Sequence, residues 1–314
     1  MTACLVLAYN EENHIEETLT SVSSLFDLII VVNDGSTDKT IQKINDLSFK
    51  NIKLINNEKN LGAGKSLLIG IKEFLNSDES HLIKIDGDNQ FKKHDIERLI
   101  DLSHEGYDFI KCDRFWEKGI EGKIPTIRYV GNALATLMIK IATGNWKLND
   151  PLNGLFMFSR NSIKSFSLPK IFNKYGYPFF INTYMSRQIV LNNLKVGQIN
   201  NTVKYSDEKS ALRPTIMFVK LLYFSIYSFC KKIKVKFQYS NLQISALFDL
   251  LFLLFISFTL YSGVKLLLIN LEYSKGSKAS WLFLTILLFL ISSFCFSYSQ
   301  RNEIKIFKDK FSIL

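Results

Sequence analysis

Short apolar runs alternate with mixed apolar and polar stretches through the first two thirds of the chain. Five of the runs have the length and composition of buried strands, and they read ACLVLAY, DLIIVVND, NIKLINN, HLIKID and YDFIKCD. Apolar residues at helical spacing follow the first four runs, over residues 12–24, 37–47, 64–74 and 94–103. This alternation predicts an α/β domain with a largely parallel sheet.

The last third of the chain has a different pattern, in which long apolar runs replace the alternation. Residues 244–271 are long enough to span about 30 Å of hydrocarbon, and residues 281–298 are at the short end of the spanning range. Asp249 and Lys265 fall near the ends of the first run, where charged side chains reach the head groups. Buried core helices are the alternative, but the lengths favour two transmembrane helices within residues 241–314.

Residues 216–230 form a third apolar stretch, which is only 15 residues long, contains Lys220 and leads into a lysine cluster. A stretch of this length is short for a span, and its basic flank suits the membrane surface. We therefore predict an interfacial helix on the cytoplasmic leaflet, within a basic juxtamembrane segment that covers residues 213–240. A third transmembrane helix is the alternative.

The net charge of +10 is concentrated in the apolar third of the chain. Residues 213–314 contain 13 Lys and Arg against 4 Asp and Glu, while the charges of residues 1–212 nearly cancel. Basic residues beside apolar runs indicate anionic lipid head groups, so a nucleic-acid binder is disfavoured. Lys and Arg are denser at 231–236 and 301–310 than in the loop between the two long runs. This bias predicts an integral membrane protein with the α/β domain and both termini in the cytoplasm.

Polar residues cluster where the predicted strands end. Tyr9-Asn10-Glu11 follow the first strand, Asn33-Asp34-Gly35-Ser36 follow the second, and the pair Asp86 and Asp88 follows the fourth. Ligands of parallel sheets bind at this edge, beyond the carboxyl ends of the strands. Two carboxylates this close repel each other unless a cation lies between them. Because Mg²⁺ and Mn²⁺ bind through one or two carboxylates plus substrate phosphates, the pair predicts a metal–diphosphate site, to which Gln90 can add an amide oxygen.

Four motifs, AYNEE, VVNDGSTDKT, NLGAGKSLLIG and IDGDNQ, together resemble glycosyltransferase family 2 in their order and spacing. Within it they are most similar to dolichol-phosphate mannose synthase-like enzymes and their bacterial polyisoprenyl-phosphate counterparts. The resemblance covers about residues 1–115 and continues more loosely through DPLNGLFMFSR and KYSDEKSAL. It implies a GT-A fold, which is a Rossmann-like nucleotide-diphospho-sugar transferase domain, over residues 1–212. It also implies inverting transfer from a UDP- or GDP-sugar, with Mg²⁺ or Mn²⁺ as cofactor, and a location in the bacterial inner membrane.

The resemblance also assigns roles to individual residues. Those expected at the donor nucleotide are Leu7, Tyr9, Glu11, Asn33, Asp34 and Asp86. Those expected to be catalytic are Asp86, Asp88, Arg114, Arg128 and Asp150. The metal is expected at Asp86, Asp88 and Gln90, and the acceptor is expected at the loop of Glu208, Lys209 and Ser210. The chain departs from the family at Leu7, where Pro is common, and at Asn33, where Asp is common.

The acceptor is predicted from the scarcity of acids. A lipid phosphate is already ionised at neutral pH and needs no general base, whereas a sugar hydroxyl needs one. No Asp or Glu occurs in residues 151–206, so a polyisoprenyl phosphate is favoured as the acceptor. Two alternatives stay open: transfer to the hydroxyl of a lipid-linked saccharide with Asp150 as the base, and a non-catalytic membrane component with a degenerate nucleotide site. Self-association is also left open.

Overall fold

The computed structural model describes residues 1–116, 118–122, 124–204 and 214–314. The chain divides into two compact units. The first unit contains residues 1–225 together with the C-terminal residues 308–314, and the second contains residues 226–307. The predicted domain boundary between residues 212 and 213 lies outside the described residues and stays a prediction.

Strands and helices alternate through the first half of the first unit. They are β1 (Thr2–Ala8), α1 (Ile15–Val22), β2 (Ile29–Asn33), α2 (Thr40–Asp46), β3 (Ile52–Asn56), α3 (Ala63–Leu75), β4 (His81–Asp86), α4 (Lys93–Ser103) and β5 (Phe109–Asp113). All seven residues of β1 and all five of β2 are buried, which is typical of strands that are covered on both faces of a sheet. The five predicted strands and the four predicted helices are therefore confirmed.

Among the described residues, the rest of the first unit adds four short strands and three α-helices to this alternation. They are β6 (Ile120–Glu121), α5 (Thr126–Thr143), β7 (Phe156–Ser159), α6 (Arg160–Ile163), α7 (Tyr177–Asn192), β8 (Val196–Asn200) and β9 (Val203–Lys204). Three long helices and a strand follow, namely α8 (Pro214–Phe237), α9 (Gln243–Asn270), α10 (Lys278–Lys310) and β10 (Phe311–Ile313). The helix α8 begins in the first unit and ends in the second.

Eight strands form the main sheet in the order β10-β8-β5-β7-β4-β1-β2-β3. The strand β7 runs antiparallel to both of its neighbours, and the other pairs are parallel, so the prediction of a largely parallel sheet is confirmed. β7 carries Phe156, which lies opposite Lys84 of β4 on one side and Lys111 of β5 on the other. Because β1, β2, β4 and β5 all run in the same direction, their carboxyl ends lie along one edge of the sheet.

The C-terminal strand β10 joins the sheet from the far end of the chain. It pairs in parallel with β8, and the backbone N–H of Leu314 donates to the carbonyl of Gln198 at 2.9 Å. Phe311 is 1% exposed, and the Lys147 ammonium donates to its carbonyl oxygen at 2.9 Å. The chain thus returns to the first unit after the two long apolar helices.

The second unit contains two helices that are long and apolar enough to cross a membrane, Gln243–Asn270 and Lys278–Lys305, among the residues that the structure describes. Each is 28 residues long, with a mean hydropathy of 2.1 or 2.2. Only 22% and 11% of their most apolar windows are buried. A core helix of a soluble protein is mostly buried, so this exposed apolar surface favours the membrane over the alternative of core helices.

A cluster of buried charges lies within the second unit. The Lys236 ammonium contacts Asp249 Oδ2 at 2.5 Å and also lies against the Glu303 carboxylate. It donates to the hydroxyls of Ser245 and Ser299 at 3.0 and 2.9 Å. Asp249 is fully buried, so the expectation that it reaches the head groups is wrong. An internal cation, rather than lipid head groups or water, compensates its charge.

Candidate active site

Hydrogen bonds tie the turn after β1 to the turn after β2. The backbone N–H of Asn10 donates to Ser36 Oγ at 2.9 Å, and Asn10 Oδ1 accepts from the backbone N–H of Thr37 at 2.9 Å. The backbone N–H of Glu11 donates to Thr40 Oγ1 at 2.8 Å. The two polar turns that the sequence places on one edge are thus joined. They present Tyr9, which is 45% exposed, and its contact with a nucleoside stays a prediction.

Asp34 holds the loop before α3. Its Oδ1 accepts from the side-chain amide of Asn57 at 2.9 Å and from the backbone N–H of Leu61 at 2.8 Å, and its Oδ2 accepts from the N–H of Gly62 at 2.7 Å. Gly62 has φ +94°, and a Cβ there would lie 2.6 Å from the carbonyl oxygen of Asn173, so no other residue fits. Asp34 therefore shapes the NLGAGKS loop, and its contact with a nucleotide base stays a prediction.

Leu7 and Asn33, the two departures from the family pattern, both lie inside the sheet. Leu7 is opposite Asp86 in the β1–β4 register, and its carbonyl accepts from the N–H of Gly87 at 2.9 Å. Asn33 is fully buried and donates to Asn56 Oδ1 at 3.2 Å. These positions shape the turns beside the site. Direct contact between either side chain and a nucleotide stays a prediction.

Asp86 ends β4 beside a buried lysine. Lys84 Nζ lies 2.5 Å from Asp86 Oδ1, and the Lys84 side chain is fully buried while that of Asp86 is 32% exposed. The same ammonium lies 5.3 Å from the ring centroid of Tyr177, at the start of α7. Gly154 closes the cluster, because a Cβ there would lie less than 3.0 Å from Asp86 Oδ2. The glycine of the DPLNG element therefore makes room for the carboxylate.

The ionisation of this cluster follows from its burial and its charges. Burial alone lowers the pKa of the Lys84 amine, but the Asp86 carboxylate and the Tyr177 hydroxyl outweigh that effect and raise the pKa above its usual value. Burial and the nearby Asp86 carboxylate raise the pKa of Tyr177 to about 12. At neutral pH Lys84 is therefore a cation and Tyr177 is a neutral hydroxyl.

Asp88 and Gln90 lie in the turn that follows β4. The backbone N–H of Gln90 donates to Asp88 Oδ1 at 3.3 Å, and the carbonyl of Gln90 accepts from the N–H of Lys204 at 3.0 Å. In the described part of the chain no group of three or more His, Cys, Asp or Glu could hold a metal ion alone. The carboxylates of Asp86 and Asp88 are hard oxygen donors at a partly exposed sheet edge. They fit an ion that completes its coordination with water and phosphate oxygens.

Arg114 and Asp150 form a buried ion pair at the end of β5. Arg114 Nη2 donates to Asp150 Oδ1 at 3.1 Å, and the Arg114 backbone N–H donates to Oδ2 at 3.1 Å. Asn153 Nδ2 also donates to Oδ2 at 3.1 Å and bonds Asn201 Oδ1 at 3.0 Å. Asp150 is 1% exposed and has φ +43°. The structure thus brings two predicted catalytic residues together, with Asp150 positioned to orient Arg114.

A second lysine lies behind this pair. Lys111 is fully buried and donates to the carbonyls of Cys112, at 2.9 Å, and Asn149. Burial lowers the pKa of its amine. Gln198 of β8 connects the same region, because its Oε1 accepts from the N–H of Asn149 at 2.9 Å and its Nε2 donates to Asp113 at 3.2 Å.

The sequence reasoning missed both buried lysines. Each stands inside an apolar run and two residues before an acid, as Lys84-x-Asp86 in β4 and Lys111-x-Asp113 in β5. Alternation along a strand puts residues two apart on one face. Such a buried cation is predicted by a lysine that lies in an otherwise apolar strand, two positions before an acid.

Two further predictions concern Arg128 and the acceptor loop. Arg128 lies in the first turn of α5, next to Tyr129, whose ring packs edge-on against Phe115 at 5.6 Å between centroids. The segments that carry Arg114 and Arg128 therefore adjoin. Glu208, Lys209 and Ser210 lie outside the described residues, so their role stays a prediction.

The helix α5 exposes an apolar stripe that the sequence reasoning missed. At spacings of three and four residues, the stripe comprises Ile127, Val130, Leu134 and Leu137, which are 63%, 50%, 42% and 50% exposed. Ala135 and Ile139, on the other side of the helix, are 1% and 0% exposed. An apolar stripe on an otherwise amphipathic helix marks a surface that contacts lipid or protein.

Comparisons with known proteins agree with the resemblance seen in the motifs. Residues 4–166 match the family model "Glycosyl transferase family 2". A UDP-N-acetylglucosamine–dolichyl-phosphate N-acetylglucosaminyltransferase of Methanococcus voltae is 25% identical over 179 residues, covering 52% of this chain and 71% of that protein. A dolichol-phosphate mannosyltransferase of Pyrococcus furiosus is 25% identical over 173 residues, covering 53% of this chain and 48% of that protein. The chain spans about half or less of several curated relatives that it matches.

The fold is similar to that of a solved glucosyl-3-phosphoglycerate synthase of Mycobacterium tuberculosis, in complex with Mn²⁺, UDP and glucosyl-3-phosphoglycerate. The TM-score is 0.54 at 18% identity, and the match covers 74% of this chain and 79% of that one. A likeness at this identity concerns the fold alone. The predicted GT-A fold is confirmed.

Proposed function

The chain belongs to glycosyl transferase family 2 and is a nucleotide-sugar-dependent glycosyltransferase, and from this premise we propose that its acceptor is a polyisoprenyl phosphate at a membrane surface. The proposed reaction inverts the anomeric carbon and is assisted by Mg²⁺ or Mn²⁺. The donor is a UDP- or GDP-sugar. A bond forms between a phosphate oxygen of the lipid and C1 of the sugar, the bond from C1 to the diphosphate breaks, and the nucleoside diphosphate leaves.

The geometry of Asp150 is the observation that most supports a phosphate acceptor. Asp150 is the acid on which transfer to a hydroxyl relied, yet it is buried and holds hydrogen bonds from Arg114 and Asn153. A carboxylate that is 1% exposed and held by these two side chains is not presented to an acceptor hydroxyl. A phosphate monoester, with its second pKa at about 6, needs no base at neutral pH. The names of the relatives from M. voltae and P. furiosus, which refer to dolichyl phosphate, support the same acceptor.

The chain's own residues would bind and orient the donor. Asp86 and Asp88 would hold the divalent cation, with Gln90 beside them. When bound, that cation would neutralise the charge that develops on the departing diphosphate. Arg114, fixed by Asp150, would contact a phosphate oxygen through its guanidinium group. Tyr9, exposed at the same sheet edge, would lie against the nucleoside.

Three observations support a membrane-anchored enzyme. The two apolar helices expose most of their surface, which suits lipid. Segment 226–307 leaves the first unit, and residues 308–314 return to it, which suits a hairpin with both ends on one side. The basic flanks of that hairpin favour the cytoplasmic side. We propose that the apolar stripe of α5 contacts the same bilayer, which would hold the site at the depth of a lipid phosphate.

A transfer assay tests this function. The full chain in detergent is incubated with undecaprenyl phosphate, Mn²⁺ and a panel of radiolabelled UDP- and GDP-sugars, with Asp88→Asn as the matched inactive control. We expect label in an acid-labile lipid, at a rate that depends on the added lipid phosphate. Label that enters only a lipid-linked oligosaccharide would assign the chain to hydroxyl transfer instead. No transfer from any donor would count against the proposed function.

A further inference from the structure

A lysine in the last turn of α5 is bound to the loop that precedes Asp150. Lys140 is half-buried, and its ammonium donates to Asn149 Oδ1 at 2.9 Å. Lysines at the carboxyl end of a helix are usually exposed, and there they interact favourably with the helix dipole. Lys72, in the last turn of α3, is exposed in this way. Lys140 differs because it donates to a specific side chain outside its own helix.

Asn149 is held from the sheet as well as from α5. Its backbone N–H donates to Gln198 Oε1 at 2.9 Å, and its carbonyl oxygen accepts from the ammonium of Lys111. Gln198 and Lys111 belong to the strands β8 and β5. Its side-chain oxygen accepts from Lys140. Lys140 thus connects α5 to a residue whose backbone the sheet already holds.

The residue that follows, Asp150, has an uncommon backbone conformation. Its φ of +43° lies in the left-handed region that residues other than glycine rarely adopt. A conformation of this kind persists only where its surroundings fix it. The Asp150 carboxylate is held by Arg114 and Asn153, and its chain neighbour Asn149 is held by Lys140. Loosening Asn149 would therefore let Asp150 relax, and its hydrogen bonds to Arg114 would change with it.

The helix α5 also contacts the chain beside Arg114, nearer to its other end. The ring of Tyr129 packs edge-on against Phe115, with 5.6 Å between the centroids. Phe115 directly follows Arg114, and its backbone N–H donates to Asp113 Oδ1 at 2.9 Å. One helix therefore adjoins both partners of the ion pair, through Tyr129 on one side and Lys140 on the other.

We propose that Lys140 is a positioning residue for Arg114 and acts on the donor through Asn149 and Asp150. This inference rests on the proposed function, in which Arg114 contacts a phosphate oxygen. Without the hydrogen bond from Lys140, the guanidinium group would shift by a fraction of an ångström. A misplacement of about 1 Å lowers a rate by about 100-fold, so a smaller shift is expected to lower it by about tenfold.

Steady-state transfer by the full chain in detergent tests the inference, with undecaprenyl phosphate and the panel of UDP- and GDP-sugars. Lys140→Met removes the donor group, and Lys140→Gln is the second variant if Lys140→Met does not fold. We expect kcat/KM for the nucleotide sugar to fall about tenfold, while KM for the lipid changes by less than about twofold. Lys140→Arg keeps a charged donor and should restore most of the loss. Lys72→Met is the matched control and should leave both parameters unchanged.

A double-mutant cycle separates positioning from a structural role. Asn149→Ala removes the same hydrogen bond from its other partner and keeps the backbone contacts of residue 149. The two single variants and their combination should each lower kcat/KM about tenfold, because the second change has no further bond to remove. Independent contributions would instead give about 100-fold for the combination, and that result overturns the inference.

Thermal unfolding of the same variants completes the test. A merely structural Lys140 would lower Tm and leave kcat/KM of the folded chain at the wild-type value, and this result overturns the inference while normal wild-type transfer leaves the proposed function intact. An equal loss of transfer in Lys140→Met and Lys140→Arg would also overturn the inference. If the wild-type chain glycosylates a hydroxyl instead, the same comparison is made with that acceptor, and the proposed phosphate acceptor alone is overturned. No wild-type transfer from any nucleotide sugar would overturn both.

Discussion

Gly154→Ala is the substitution with the most direct structural consequence for the site. A Cβ at this position would lie less than 3.0 Å from Asp86 Oδ2 and 3.3 Å from Lys84 Nζ. To regain van der Waals contact the carboxylate must move by about 1 Å, which pulls it away from the Lys84 ammonium group. Steric crowding of this kind costs about 1–3 kcal/mol.

The predicted size of the effect combines crowding with a weakened ion pair. Asp86 is 32% exposed, so water offsets part of the loss of the pair. We expect about 2 kcal/mol of destabilisation, with a fall in Tm of about 4–8 °C for a domain of this size. A metal ligand displaced by about 1 Å should also lower the transfer rate by about 100-fold.

Thermal unfolding in detergent and the radiolabelled transfer assay measure the two effects. Gly131→Ala is the matched control, because a Cβ there meets nothing within 4 Å and the residue lies within α5. It should raise stability by about 0.5–1 kcal/mol and leave transfer unchanged. If Gly154→Ala kept wild-type Tm and wild-type transfer, the close approach of Gly154 to Asp86 would have no functional meaning.

Three other predictions address the metal, the membrane and the buried charges. Asp88→Asn should abolish transfer while the chain still folds, because Asn keeps the size of the side chain and removes the charge that a divalent cation needs. EDTA should also stop wild-type transfer, and full turnover in EDTA would refute the metal dependence. The double substitution Leu134→Glu and Leu137→Glu should lower transfer to an acceptor in lipid vesicles by at least about tenfold, because charge on the apolar stripe opposes insertion into the bilayer. Transfer in detergent should stay intact. An equal loss of transfer in vesicles and in detergent would contradict lipid contact. Lys236→Met should destabilise the second unit by about 3–5 kcal/mol, since it leaves the fully buried Asp249 without its cation. Lys234→Met is the control, and equal thermal stability of the two variants would show that the buried charges contribute little to stability.

The strand ends and their polar turns were predictable because they depend on local pattern. Apolar runs of strand length, each followed by Asn, Asp or Gly, mark the sheet and its ligand edge from the sequence alone. The lysines in β4 and β5 were equally visible, but each was taken as part of an apolar run. Their meaning depends on Phe156 of the antiparallel β7, which lies between Lys84 and Lys111, and a local pattern does not reveal this neighbour.

Features that depend on distant parts of the chain were not predictable from local pattern. Asp150 was predicted as a possible base because local pattern does not reveal its ion pair with Arg114, which joins residues 36 positions apart. Asp249 was placed at the head groups because its partner Lys236 lies in another helix. The three-residue strand β10 follows a 33-residue helix and pairs with β8, a contact that no short-range periodicity signals.

Transfer to a lipid phosphate is tested most directly by following the acceptor phosphorus itself. Phosphorus NMR of undecaprenyl phosphate, incubated with the full chain, Mn²⁺ and the active nucleotide sugar, reports whether the new bond forms at the phosphate. We expect the monoester resonance to decline as a diester resonance appears, with one nucleoside diphosphate released for each diester. A monoester resonance that stays constant while the nucleotide sugar is consumed in transfer to another lipid would contradict a polyisoprenyl-phosphate acceptor.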